Sequence, residues 1–169
     1  MDTRLIYRKT SEMSLLGYVD VDWAGDVNDR CSISGYTFVT ARAAISWSLK
    51  KQPSIALLSM EAEYMAAAAA AKEATWLKLL FSEIELSLSC TPIKLLIDNQ
   101  LAMSLAKNAT FHDWTKHIAI RHHYIREKVD KEEIILEYLL TAEQVANVLT
   151  KPLSREKHIH FIEGMGLII

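Results

Sequence analysis

Two cysteines, three prolines and five glycines in 169 residues rule out several familiar kinds of site. Cys31 and Cys90 form neither a CxxC pair nor a disulfide framework, which predicts a reducing compartment. Glycines 17, 25, 35, 164 and 166 build no GxGxxG turn, no phosphate loop and no GxSxG elbow. Neither charge dominates: the formal net charge is −2, so a nucleic-acid role would need a local basic surface or bound cations. The most apolar stretch, residues 60–82, carries Glu61, Glu63, Lys72, Glu73 and Lys78, which argues against a membrane span. No signal-like segment with a basic start and an apolar run is present. His112, His117, His122 and His123 invite a zinc reading, but no HExxH or Cys/His spacing supports it; solvated or phosphate-facing histidines fit better. The expectation is an intracellular domain that is neither secreted nor membrane-spanning.

What is present suits one domain with a sizeable core, since half of the residues are hydrophobic and 24% are charged. Residues 1–13 have no clear pattern beyond Leu5-Ile6-Tyr7. Three strand-like runs follow, at 15–22, 34–40 and 43–49; short loops between them predict an antiparallel meander. Residues 59–84 read as a long helix, with Ser59 as its expected N-cap and Glu61 near the positive end of the dipole. Its Ala66–Ala71 run would allow close approach to a sheet, with Met65, Trp76, Leu77, Leu79 and Leu80 as apolar bulk. Beyond Pro92, residues 93–97 read as a buried strand, 99–108 and 121–132 as helices, and 133–140 as a last strand. Residues 141–150 predict another helix, and a terminal one starts at Ser154. The sum is an α/β domain: a mixed sheet, meander plus parallel strands, flanked by helices.

The chemistry lies in carboxylates at element ends. Asp20 and Asp22 share one face of the first strand, opposite Val19 and Val21. Glu63 sits early on the long helix, and Asp98 closes the 93–97 strand. If a crossover sets that strand parallel to the first and beside it, Asp20 and Asp98 converge, and the helix could present Glu63 to the same point. Ionised carboxylates share a spot only around a cation, and an all-oxygen cluster suits Mg²⁺ or Mn²⁺. The plainer reading makes Asp20 a surface strand residue, Glu63 a solvated helix residue and Asp98 an N-cap.

The chain resembles the ribonuclease H domain of copia-type LTR retrotransposon Pol polyproteins. The resemblance rests on GYVDVDWAGD, SGYTFV, AISWSLKKQPSIALLSMEAEYMA, AAKEATWL, IDNQLAMSLAKN, TKHIAIRHHYIREKV and LEYLLTAEQVANVLTKPL, which together span residues 17–153. It implies a ribonuclease H-like five-stranded sheet over 17–153. Residues 1–16 would be a remnant of the segment joining reverse transcriptase to this domain, and 154–169 a C-terminal helical tail. It implies hydrolysis of the RNA strand of RNA–DNA hybrids by two Mg²⁺ ions, for which Mn²⁺ could substitute. Carried over by motif, the metal-binding and catalytic positions are Asp20, Glu63, Asp98 and Asn147. Asp22 shares the strand face, but the family's first aspartate matches position 20.

Position 147 departs from the family, whose pattern QLADILTKPL has aspartate where QVANVLTKPL has Asn147. An amide oxygen can contact a metal but brings no charge. Ala119, Met60 and Cys31 depart too, from a usual Asp, Thr and Arg. The alternative is therefore a ribonuclease H-like relic that binds nucleic acid without cutting it. Substrate grip is expected from Lys50, Lys51, Lys116, Arg121 and Arg126, with His117, His122 and Lys128 nearby. Trp47 and Trp114 are stacking candidates, Trp47 reading better as core. No general-acid histidine is evident after the last strand. The expected partners are the hybrid and, in a polyprotein, an upstream reverse transcriptase; the isolated domain is expected to be a monomer.

Overall fold

A computed structural model describes residues 3–9, 14–26, 28–56, 58–84, 91–99 and 116–168. The meander is present as β2 (Leu16–Asp22), β3 (Ile33–Thr40) and β4 (Ala43–Lys51). The long helix α1 runs over Ser59–Glu83, followed by β5 (Ile93–Ile97), α2 (Lys116–Asp130) and β6 (Ile134–Tyr138). The five strands lie in the order β4-β3-β2-β5-β6. Pairing is antiparallel from β4 to β2 and parallel from β2 to β6, the expected mixed sheet. Residues 100–108 of the expected helix, Cys90, His112 and Trp114 lie outside the described residues, as do the side chains of Lys116, His117 and Ala119.

α1 covers one face of the sheet almost entirely with alanine. Ala62, Ala66, Ala67, Ala70, Ala71 and Ala74 are all buried, and the core joins them to Val19, Phe38, Leu95 and Ile97. Small side chains bring the helix axis close to the strands, so the sheet supplies the large residues. The expected bulk is only partly there: Met65 and Leu77 are buried, but Trp76, Leu79 and Leu80 are exposed, since they lie around the helix from the alanine stripe. Ser59 is not the N-cap. It is already the first helical residue, and the preceding Leu58 is extended and gives no side-chain cap.

The C-terminal part differs more from the sequence reading. Residues 141–150 are not one helix but a 3₁₀ turn at Thr141–Glu143 and a single turn, α3 (Asn147–Thr150). The reason is Gln144, which is fully buried and donates from Nε2 to the carbonyls of Val19 (3.0 Å) and Leu96 (3.1 Å). Those bonds tie the loop across β2 and β5 and break the helical path. α4 (Arg155–Gly164) then packs beyond it, with Ser154 as its N-cap. Val145 and Met165 form a second, smaller cluster with Ala44 on the sheet face opposite α1. Gly35 lets α3 sit close: a methyl there would lie 2.7 Å from Thr150 Cγ2.

Residues 4–8, legible only as the short apolar run Leu5-Ile6-Tyr7, lie against the other end of the chain. β1 (Arg4–Leu5) pairs antiparallel with β7 (Leu167–Ile168), and the Tyr7 hydroxyl donates to Ala44 O. No helix among the described residues is long and apolar enough to cross a membrane.

Candidate active site

The register of β2 on β5 matches Val19 with Ile97, so Asp20 and Asp98 are the next residues at the carboxyl ends of adjacent parallel strands. Alternation along β2 turns Asp20 to the α3 face, where it is 1% exposed. There it accepts hydrogen bonds from the Thr150 hydroxyl and from Lys151 Nζ, the latter at 2.8 Å. Burial pushes the Asp20 carboxyl above its ordinary range, opposed by the bonds from Lys151 and Thr150. Asp98 Oδ2 accepts from the Thr141 hydroxyl at 2.9 Å.

Glu63 reaches the same region from α1. It is 8% exposed, and its Oε2 is buried with no hydrogen-bond partner among the described residues. Its pKa is pushed up to about 8, first by burial and then by the negative charges of Asp98 and Asp20. Asn147 is buried, with Nδ2 donating to Thr141 O at 2.8 Å. That bond turns Oδ1 toward the site, where it accepts from Lys151 Nζ at 2.9 Å. The four positions named from the motifs thus lie around one patch, in which Lys151 joins Asp20 to Asn147 and Thr141 joins Asn147 to Asp98. Asp22 lies on the same face of β2 and is only half-buried, in the turn at the strand's end.

Among the described residues, no three His, Cys, Asp or Glu side chains already stand in ligand geometry. Both Asp20 oxygens are engaged, by Thr150 and Lys151. The donor set nevertheless fits a hard divalent cation: it is all oxygen, it carries three carboxylates, and the Glu63 oxygen is buried without a partner.

The basic positions divide. Lys50, Lys51 and Arg121 line one cleft of about 300 Å³ together with Lys72, which sequence reasoning missed. Lys72 is on α1 nine residues past Glu63, half a turn around the helix from it, so spacing from the site gave no signal for it. Arg121 Nη1 is buried there with no hydrogen-bond partner among the described residues. Lys51 is held by Asp26 and Asp29, each at 2.6 Å, so much of its charge is balanced. Arg126 does not line the cleft. It lies about 140° around α2 from Arg121 and faces Asp130 at 3.7 Å. Lys128 pairs with Glu133 at 2.8 Å. Trp47 is not core: it is 55% exposed on the edge strand, beside Ala44, Leu149 and Met165. His122 packs edge-on against the Tyr64 ring, with no metal cluster around it among the described residues.

No family model matches the chain. Over 167 residues, 99% of its length, the chain is 38% identical to a retrovirus-related Pol polyprotein from transposon RE2 of Arabidopsis thaliana. Over 147 residues, 87% of its length, it is 43% identical to the corresponding polyprotein from transposon TNT 1-94 of Nicotiana tabacum. The chain spans 11% of the length of each. Its fold matches that of LC11-RNase H1 solved with an RNA/DNA hybrid: TM-score 0.59 at 13% identity, over 81% of this chain and 94% of that one. The N-terminal RNase H domain of a Mycobacterium tuberculosis protein matches at TM-score 0.58 and 13% identity, over 90% and 98%.

Proposed function

We propose that this chain, a ribonuclease H-fold member of the retrotransposon Pol family, hydrolyses the RNA strand of RNA–DNA hybrids with divalent cations, Mg²⁺ or Mn²⁺. The observation that carries this reading is the buried oxygen of Glu63, without a partner among the described residues, facing the region where Asp20 and Asp98 stand on adjacent parallel strands. Asp20, Glu63 and Asp98 would hold the metal, with the Asn147 amide oxygen beside them. Bound divalent cations would supply an activated water and positive charge at the leaving 3′ oxygen. The chain's own part is to fix geometry. Gln144 pins the ends of β2 and β5, Thr141 orients Asp98, and Thr150 orients Asp20.

The cleft of Lys50, Lys72 and Arg121 would take backbone phosphates, and contacts to 2′-hydroxyls would favour RNA over DNA. In a longer polyprotein an upstream reverse transcriptase would deliver the hybrid. Asn147 favours a second reading, a site that binds nucleic acid but no longer cuts, because the position brings no charge.

Cleavage of a labelled hybrid by the parent, Asn147→Asp and Asp98→Asn in Mg²⁺ and in Mn²⁺ separates the two. The parent is expected to cut and Asp98→Asn is not. Cutting by Asn147→Asp alone would favour the second reading, and silence from all three would remove the first.

A further inference from the structure

Lys151 has no part in the chemistry above, yet its ammonium stands where the acidic residues converge. Nζ lies 2.8 Å from Asp20 Oδ1 and 2.9 Å from Asn147 Oδ1. Asn147 and Lys151 are four residues apart, so the single turn of α3 stacks their side chains toward one point. The Asn147 amide nitrogen is committed to Thr141 O, which leaves the oxygen for the ammonium. The Lys151 side chain is 30% exposed and borders a cavity of about 510 Å³ beside α4, so it can be reached from outside.

Charge balance gives this placement a meaning. In the family pattern QLADILTKPL the same lysine faces four carboxylates, a net −3 that one divalent ion does not neutralise. Asp20, Glu63 and Asp98 carry −3, which one divalent ion and one ammonium neutralise (+2 and +1). With an amide at 147, the chain already holds that ammonium in place. We infer that Lys151 is a built-in cation of the site, standing in for one of two metal ions, so that the protein takes up a single divalent ion at Asp20, Glu63 and Asp98. The inference rests on the metal-dependent reading above and adds the number of ions and what replaces the other. A lysine that merely props up Asp20 would affect stability and, through its charge, affinity, but not the number of ions bound.

Calorimetric titration with Mn²⁺, without substrate, tests it on the folded parent, Lys151→Met, Lys151→Gln, Asp98→Asn and the double variant Asn147→Asp/Lys151→Met. The parent is expected to bind one Mn²⁺, and Asp98→Asn to lose that binding. Both lysine variants should bind Mn²⁺ at least about threefold tighter, because a unit charge repelling the ion is gone. The double variant should bind two ions. Glutamine keeps a hydrogen bond to Asp20 while losing the charge, so it stands in if the methionine variant melts early. Two ions in the parent, a smaller gain in affinity in the folded lysine variants, or one ion in the double variant would each overturn the inference. Saturable binding by none of the proteins would instead remove the metal reading, and the inference with it.

Discussion

Asp20 and Glu63 look onto one patch from opposite faces of the sheet, and their surroundings differ. Asp20 is satisfied twice, by a hydroxyl and an ammonium, both from the short stretch after Gln144. Glu63 is buried too, yet one oxygen has no partner among the described residues and its pKa is pushed up to about 8. One half of the site is complete within the chain. The other is unfavourable as it stands, because burial and the like charges of Asp98 and Asp20 oppose its ionisation by more than Lys151 and Asn99 favour it. A site finished on one side only is poised for a ligand on the other.

The largest break in this contrast should come from Asp98, which borders both halves. Asp98→Asn is expected to lower hybrid cleavage by more than about a hundredfold, read as initial rate at saturating Mn²⁺. Next comes Gln144→Leu, which leaves the Val19 and Leu96 carbonyls buried without their donor. It should cost roughly 2–3 kcal/mol in urea unfolding and loosen both halves together.

Glu63→Gln sharpens the comparison. In metal-free protein the unfolded chain releases the Glu63 proton near 4.5 and the folded chain near 8, so the parent loses stability as pH rises between those values, then levels off. Melting profiles of Glu63→Gln should lack that fall and match the parent at the acid end. Mn²⁺ should restore the parent most at alkaline pH; an unchanged slope in the variant would assign the titration elsewhere. The smallest effect is remote from the site. Ala41 and Arg42 form the β3–β4 turn with φ of 50° and 62°, a conformation that favours Asn-Gly. Replacing them with Asn-Gly should add about 0.5–1 kcal/mol and leave metal binding unchanged.

That turn also marks a limit of sequence reading. A two-residue hairpin at positive φ without asparagine or glycine carries no local signal, although the strands on either side were legible from their composition. The same division runs through the site. Asp20, Glu63 and Asp98 stand in recognisable runs, and the β-α-β order implied that the first and third would meet. The role of Lys151 was not legible, because residues 141–150 have the composition of one helix. On such a helix Gln144 would face as its neighbours do; in the structure its side chain is spent on two strand carbonyls. Long-range bonds of that kind, 125 and 48 residues apart in sequence, leave no trace in periodicity. The exposure of Trp47 on the edge strand and of Trp76 on α1 was equally hidden, since both are large apolar residues within apolar runs.

The pairing of β1 with β7 has a geometric consequence for any longer polypeptide that contains this stretch. Entry and exit lie side by side on one two-stranded ribbon, as on a bead threaded through a single hole. Folding holds the flanking segments close together, whereas an unfolded stretch of this length would let them drift far apart. Tension between them would peel the ribbon apart one residue pair at a time, before it reached Asp20 and its neighbours.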